Sequence, residues 1–63
     1  MTKESLKFEI TEAFVKVQVE SALALSYSNR GDIANVATLA RRAKKSLNYI
    51  LKLIQEYNRK EHP

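Results

Sequence analysis

A single internal break limits what this chain can fold into. Gly31 is the only glycine, it lies in "SNRGDI" near the midpoint of 63 residues, and the only proline is the last residue. Lacking a Cβ, Gly31 can take the positive φ that ends a helix. Asp32 then suits the N-cap of the next helix, its carboxylate accepting backbone N–H groups. One domain over residues 1–63 is predicted: helix 1 over about 3–28, a turn at 29–32, helix 2 over about 32–58 and a frayed tail over 59–63 that carries the only histidine, His62.

The second half has the clearer pattern. Val36, Ala40, Ala43, Leu47, Ile50, Ile54 and Tyr57 alternate in spacings of four and three, an unbroken helical seam that Ile33 and Leu51 widen. The first half reads two ways. As a helix, Leu6, Ile10, Ala13, Phe14, Val17, Ser21 and Ala24 share one face; as strands, "LKFEIT" and "VKVQVE" both alternate apolar and polar residues. Strand, helix, helix is the order of ribbon-helix-helix DNA-binding dimers, with "LKFEIT" as the ribbon. The helical reading is preferred, because only "EA" separates the two alternating runs and "ESALALSY" continues with good helix formers. Folding the chain at about residue 30 also matches the seams, with Phe14 meeting Leu47, Ile10 meeting Ile50 and Leu6 meeting Ile54.

On a helix the valines of "FVKVQVES" separate. Val17 enters the hairpin seam, while Val15 and Val19 fall on the opposite side with Phe8, Ala22 and Ser26. Contiguous exposed apolar area marks an interface, so Phe8, Val15, Val19 and Ala22 are read as a self-association seam. The expected fold is all-α: an antiparallel two-helix hairpin pairing into a homodimeric four-helix bundle. Size points the same way. A domain this small is marginal alone, and with no cysteine it has neither disulfides nor thiolate metal sites.

Composition narrows the function classes. The lone histidine rules out a two-histidine metal motif, and no cofactor is expected. Glu9, Glu12, Lys16 and Glu20 interleave on helix 1 as a solvated face does, and Ser21, Ser26, Ser28 and Ser46 have no base within sequence reach, so an enzyme is not expected. No apolar run nears the roughly 20 residues that span a bilayer, and "MTKESLKFEI" has no signal core. A soluble cytoplasmic protein with no membrane partner is the expectation.

The net charge of +4 is uneven: residues 1–31 hold four basic and four acidic groups, residues 32–63 seven basic and three acidic. In "RRAKKSLNYILK", Arg41, Lys44, Lys45, Asn48 and Lys52 lie away from the seam, flanked by Arg42 and Tyr49. Such a band could neutralise phosphates, with Asn48 bonding a phosphate or base edge and Tyr49 stacking on an unpaired base. It could equally meet a protein, or simply be a solvated surface in which Glu20 pairs with Arg41 and Arg42, and Glu9 with Lys52.

Two resemblances bear on this. Leu23, Ala24, Tyr27, Gly31, Asp32 and Ala43 match in spacing, and so resemble, one tetratricopeptide-type hairpin, which implies shared turn mechanics: close helix approach and an aromatic over a Gly-Asp break. "ARRAKKSLNYIL" is similar in charge and apolar order to the second helix of the small two-helix family of the bacterial large ribosomal subunit, which implies that a short basic hairpin can bind RNA. The expected function is a small regulatory protein that self-associates through helix 1 and presents the basic face of helix 2 to a macromolecular, protein partner. The alternative is a regulator that binds RNA or DNA through that face.

Overall fold

The computed structural model describes residues 2–61. It contains two helices, α1 (Lys3–Asn29) and α2 (Ile33–Glu61), packed antiparallel along their length. "LKFEIT" and "VKVQVE" both lie inside α1, so no ribbon forms. Packing of Val17 and its seam neighbours, together with the good helix formers that follow, outweighs the modest helix propensity of the three valines. α2 continues to Glu61, past the expected end near residue 58; of the expected tail, 59–61 is helical, and His62 and Pro63 lie outside the described residues.

The caps explain where the helices begin and turn. Thr2 caps α1, its hydroxyl oxygen accepting the Ser5 N–H at 3.1 Å. At the other end the Asp32 N–H donates to the Tyr27 carbonyl at 2.9 Å and the Gly31 N–H to the Ser28 carbonyl at 3.0 Å, with Gly31 at φ 76°. This is a Schellman motif. The Asp32 carboxylate then accepts from both the backbone N–H (3.3 Å) and the side-chain amide (2.7 Å) of Asn35, and so caps α2. Arg30 stacks on Tyr27, 4.8 Å from the ring centroid, and closes the turn from above.

A Gly31→Ala chain tests the turn. A Cβ at Gly31 would meet nothing within 4 Å, so only the backbone conformation opposes it. The expected loss is about 1 kcal/mol, a fall in Tm of roughly 4–8 °C for a chain this short. Thermal melting followed by circular dichroism measures it, and an unchanged Tm would mean that the left-handed residue is not what holds the turn.

The register is as the matched seams require: Lys3 Nζ sits 5.0 Å from the Tyr57 ring centroid and the Tyr49 hydroxyl donates to Glu9 at 3.1 Å, so partners sum to about 60. The rotation of the helices is not. Val36, Ala43, Ile50 and Tyr57 face α1 as expected, but they are joined by Leu39, Ser46 and Leu53 rather than by Ala40 and Leu47, which are exposed; Ile54 is half-buried. On α1, Leu6, Ile10, Ala13, Val17 and Ala24 face inward as expected, whereas Phe14 and Ser21 are exposed and Glu20 takes the inward place. Small side chains account for the turn of each helix about its axis. Ala13, Ala24, Ala43 and Ser46 let the axes approach, where Phe14 opposite Leu47 would hold them apart.

The resulting core is thin. Among the described residues its buried apolar members are Leu6, Leu39, Ile50 and Leu53, of which Leu6 and Ile50 are fully enclosed. The Cα trace measures 49 × 14 × 12 Å with a radius of gyration of 14.6 Å. A compact chain of this length would have a radius of roughly 10.6 Å, so the molecule is a rod whose residues have neighbours on one side only.

Candidate functional site

A two-helix rod has four long faces besides its seam: the two flanks, where both helices contribute, and the outer side of each helix. Their contents differ sharply here, and helical spacing assigns them.

The outer side of α1 carries the expected apolar stripe. Phe8 is 63 % exposed, Val19 is 55 % exposed, and Val15 and Ala22 are exposed beside them. Val17 is half-buried in the seam. "FVKVQVES" therefore divides between two sides of one helix, as the spacing requires.

The outer side of α2 carries the basic residues. Arg41, Arg42, Lys44, Lys45, Asn48, Tyr49 and Lys52 are all exposed, but they do not form one uniform band. Arg41, Lys44, Asn48 and Lys52 point outward from α2, at spacings of three and four. Arg42, Lys45 and Tyr49 lean over one flank, where a groove brings Lys45 and Tyr49 together with Glu9, Glu12 and Lys16. A smaller groove beside it is lined by Lys16, Glu20, Arg42, Lys45 and Ser46. This flank is polar and carries both signs of charge.

Two side chains on the polar flank depart from expectation. The Tyr49 hydroxyl donates to the Glu9 carboxylate, while the ring stays 46 % exposed. That hydrogen bond first, then partial desolvation and the negative charges of Glu9 and Glu56, raise the Tyr49 hydroxyl above its ordinary value of 10.0. The interaction is intact below that pH and is lost as pH climbs through the raised value. Glu20, expected on a solvated face, is only 7 % exposed, and its Oε1 has no hydrogen-bond partner. It sits near Arg42 and Lys45, and Glu9 is held by Tyr49 rather than matched to Lys52.

The opposite flank is the surface that sequence reasoning missed. Phe14, Ser21 and Leu25 line its α1 edge, and Ile33, Ala40, Leu47 and Leu51 its α2 edge, every one exposed. Near the turn these edges enclose a groove of about 380 Å³ whose walls combine small residues (Ser21, Ala24, Ser28, Ala40, Ala43) with Leu25, Val36, Leu39 and the buried Glu20, which reaches this side as well. The signal was present in the sequence. Periodicity puts Phe14, Ser21, Ala40 and Leu47 in the hairpin seam, and a rotation of each helix by less than one residue step opens that seam into a flank.

Other chemistry has little to stand on. Among the described residues no group of three or more His, Asp or Glu side chains is placed to hold a metal ion. No described helix is long and apolar enough to cross a membrane. Comparison with known proteins returns no matching family model, no similar curated protein and no similar solved structure.

Proposed function

We infer that the protein is a small, non-enzymatic interaction module that assembles with itself through the apolar surface of α1 and presents the outward basic side of α2 to an acidic protein partner. The observation that carries this reading is the amount of apolar side chain left in water. Phe8, Phe14, Val15, Val19, Leu23 and Leu25 are all roughly half exposed or more on α1 alone, while among the described residues four apolar side chains, Leu6, Leu39, Ile50 and Leu53, are buried. Contiguous apolar patches of this kind mark interfaces. The pairing of two hairpins into a homodimeric four-helix bundle is the simplest closed arrangement.

The choice of a protein rather than a nucleic acid on the basic side rests on its neighbours. Glu9, Glu12 and Glu20 border Arg42 and Lys45. Carboxylates beside a cationic band weaken its attraction for phosphate. The regulatory role and cytoplasmic setting expected from the sequence fit such a module and belong to the same proposal.

Two measurements on the unmodified chain test it. Sedimentation equilibrium at micromolar concentration is expected to give twice the monomer mass, and titration with generic RNA and DNA at low salt is expected to give no binding. A monomer would overturn the self-association half. Tight binding that weakens steeply with salt would overturn the protein-partner half in favour of a nucleic-acid regulator.

A further inference from the structure

Neither the outer stripe of α1 nor the outward basic side of α2 includes Glu20, and neither reaches the groove on the apolar flank. We propose that this groove is a docking site for an amphipathic helix of a partner protein, one that carries a lysine or arginine on its apolar face and delivers that cation to the Glu20 carboxylate.

Glu20 is the observation that points to an occupant. It is 7 % exposed, and its Oε1 is shut off from solvent without a hydrogen-bond partner. Donors are not scarce on the polar side. Lys16, Arg42 and Lys45 line a groove there with Glu20, yet all three stay exposed and none donates to Oε1. On the other side Glu20 belongs to the wall of the apolar groove, whose remaining polar members are Ser21 and Ser28. No cationic side chain lines it. The last torsion of a glutamate is soft, so the carboxylate can turn toward a donor that enters from this side. An anion bordering apolar walls attracts such a donor strongly, because little water screens the pair, and a hydrogen bond between ionised groups is stronger than a neutral one.

The walls select the kind of cation. Ala24, Leu25, Val36, Leu39 and Ala40 offer no oxygen ligands to a metal ion. They suit the aliphatic stem of a lysine or arginine, which lies along apolar surface while its charged head reaches a polar partner. Ser28, at the turn end of the groove, precedes α2, and Glu20 lies eight residues back along α1, roughly 12 Å away. The groove is therefore longer than one such stem and has room for neighbouring apolar side chains.

The flank beyond the groove selects what carries the cation. Exposed Ile33, Leu47 and Leu51 continue along α2, with Phe14 across from them on α1. From Ile33 to Leu51 is roughly 27 Å, the length of a helix of about 18 residues. A free amine would leave this surface in water. An amphipathic helix laid along it buries the flank and the groove together.

The first probe is n-butylammonium, which is the lysine side chain without its backbone. Added to the full isotope-labelled chain at constant ionic strength, it is expected to shift the backbone amide NMR signals of Ser21, Ala24, Ala40 and Ala43. Uncharged n-butanol is expected to bind at least tenfold more weakly. Glu20→Gln keeps the shape of the side chain and removes its charge, so it is expected to abolish that preference, with circular dichroism checking that its helices are intact. The second probe is a helical peptide of about 18 residues, with leucines and one lysine on its apolar face. It is expected to shift the same amides together with those of Leu47 and Leu51, and to bind at least tenfold more tightly than the peptide with methionine in place of the lysine.

Equal binding of butylammonium and butanol, or a preference that survives Glu20→Gln, would show that the carboxylate is engaged by Lys16, Arg42 or Lys45 and would overturn the proposal. Binding of butylammonium without binding of the peptide would overturn the helix as occupant. Shifts of the same amides on concentrating the chain alone would give the groove to a second copy and overturn the partner.

Discussion

An Ile50→Ala chain is expected to lose about 2–5 kcal/mol of its folding stability at 25 °C. Ile50 is 2 % exposed and is one of the four buried apolar side chains among the described residues, on the α2 positions that face α1 throughout. Removing a buried isoleucine to alanine costs about 2–5 kcal/mol, the larger values arising where the surroundings cannot collapse onto the gap. Two helices joined by one turn can close such a gap only by bending, and both are capped and continuous. A chain of this length has a total stability of roughly 3–9 kcal/mol. The single change therefore removes about a fifth of the stability or more, and Tm should fall by at least roughly 8 °C. Thermal and urea melts followed by circular dichroism read it. A loss under about 1 kcal/mol would mean that the hairpin core contributes little, and that contacts between copies hold the helices. In that case the melting temperature would rise steeply with protein concentration, as it does when folding and assembly are one equilibrium.

How far the sequence discloses the molecule can be traced residue by residue. Gly31 and Asp32 were readable because each has one physical use at a helix junction, and the structure places them in those uses. The existence, order and register of the helices followed from the same break and from matched apolar spacing. The rotation of the helices was not readable, because two seams fit α2 equally well. Val36, Ala43, Ile50 and Tyr57 belong to both; Leu39, Ser46 and Leu53 complete one, and Ala40, Leu47 and Ile54 the other. Periodicity cannot choose between them. The choice turns on how closely the backbones approach, which depends on both helices together. The same degeneracy hid the apolar flank, whose residues were counted as core.

The outer stripe and the basic side were legible because they lie opposite the seam, where a rotation of less than one residue step leaves them exposed. The burial of Glu20 was not legible, since its i, i+4 pairing with Lys16 is the signature of a wet face. It is inside because the rotation that exposes Ser21 carries its neighbour inward.

Glu20 also supplies the second large expectation: a Glu20→Met chain should be more stable than the parent by about 1–3 kcal/mol. A buried polar atom without a partner carries its desolvation cost uncompensated, about 1–3 kcal/mol, and Glu20 Oε1 is such an atom. Methionine has a similar length and flexibility, so it can occupy the same space between Val17 and Ala24 without forcing the helices apart. Replacing a buried charge by an apolar side chain of like volume is commonly neutral or stabilising. Tm should rise by roughly 4 °C or more. Lys16, Arg42 and Lys45 line the groove with Glu20 and lose a neighbouring negative charge in the variant, which offsets part of the gain. Melts at pH 7 in low and high salt separate the two contributions, because screening weakens the effect on the exposed cations and leaves the buried desolvation unchanged. A lower Tm for Glu20→Met at both salts would show that Oε1 is satisfied in solution by a donor the single chain lacks. The same variant would then sediment with a weakened dimer.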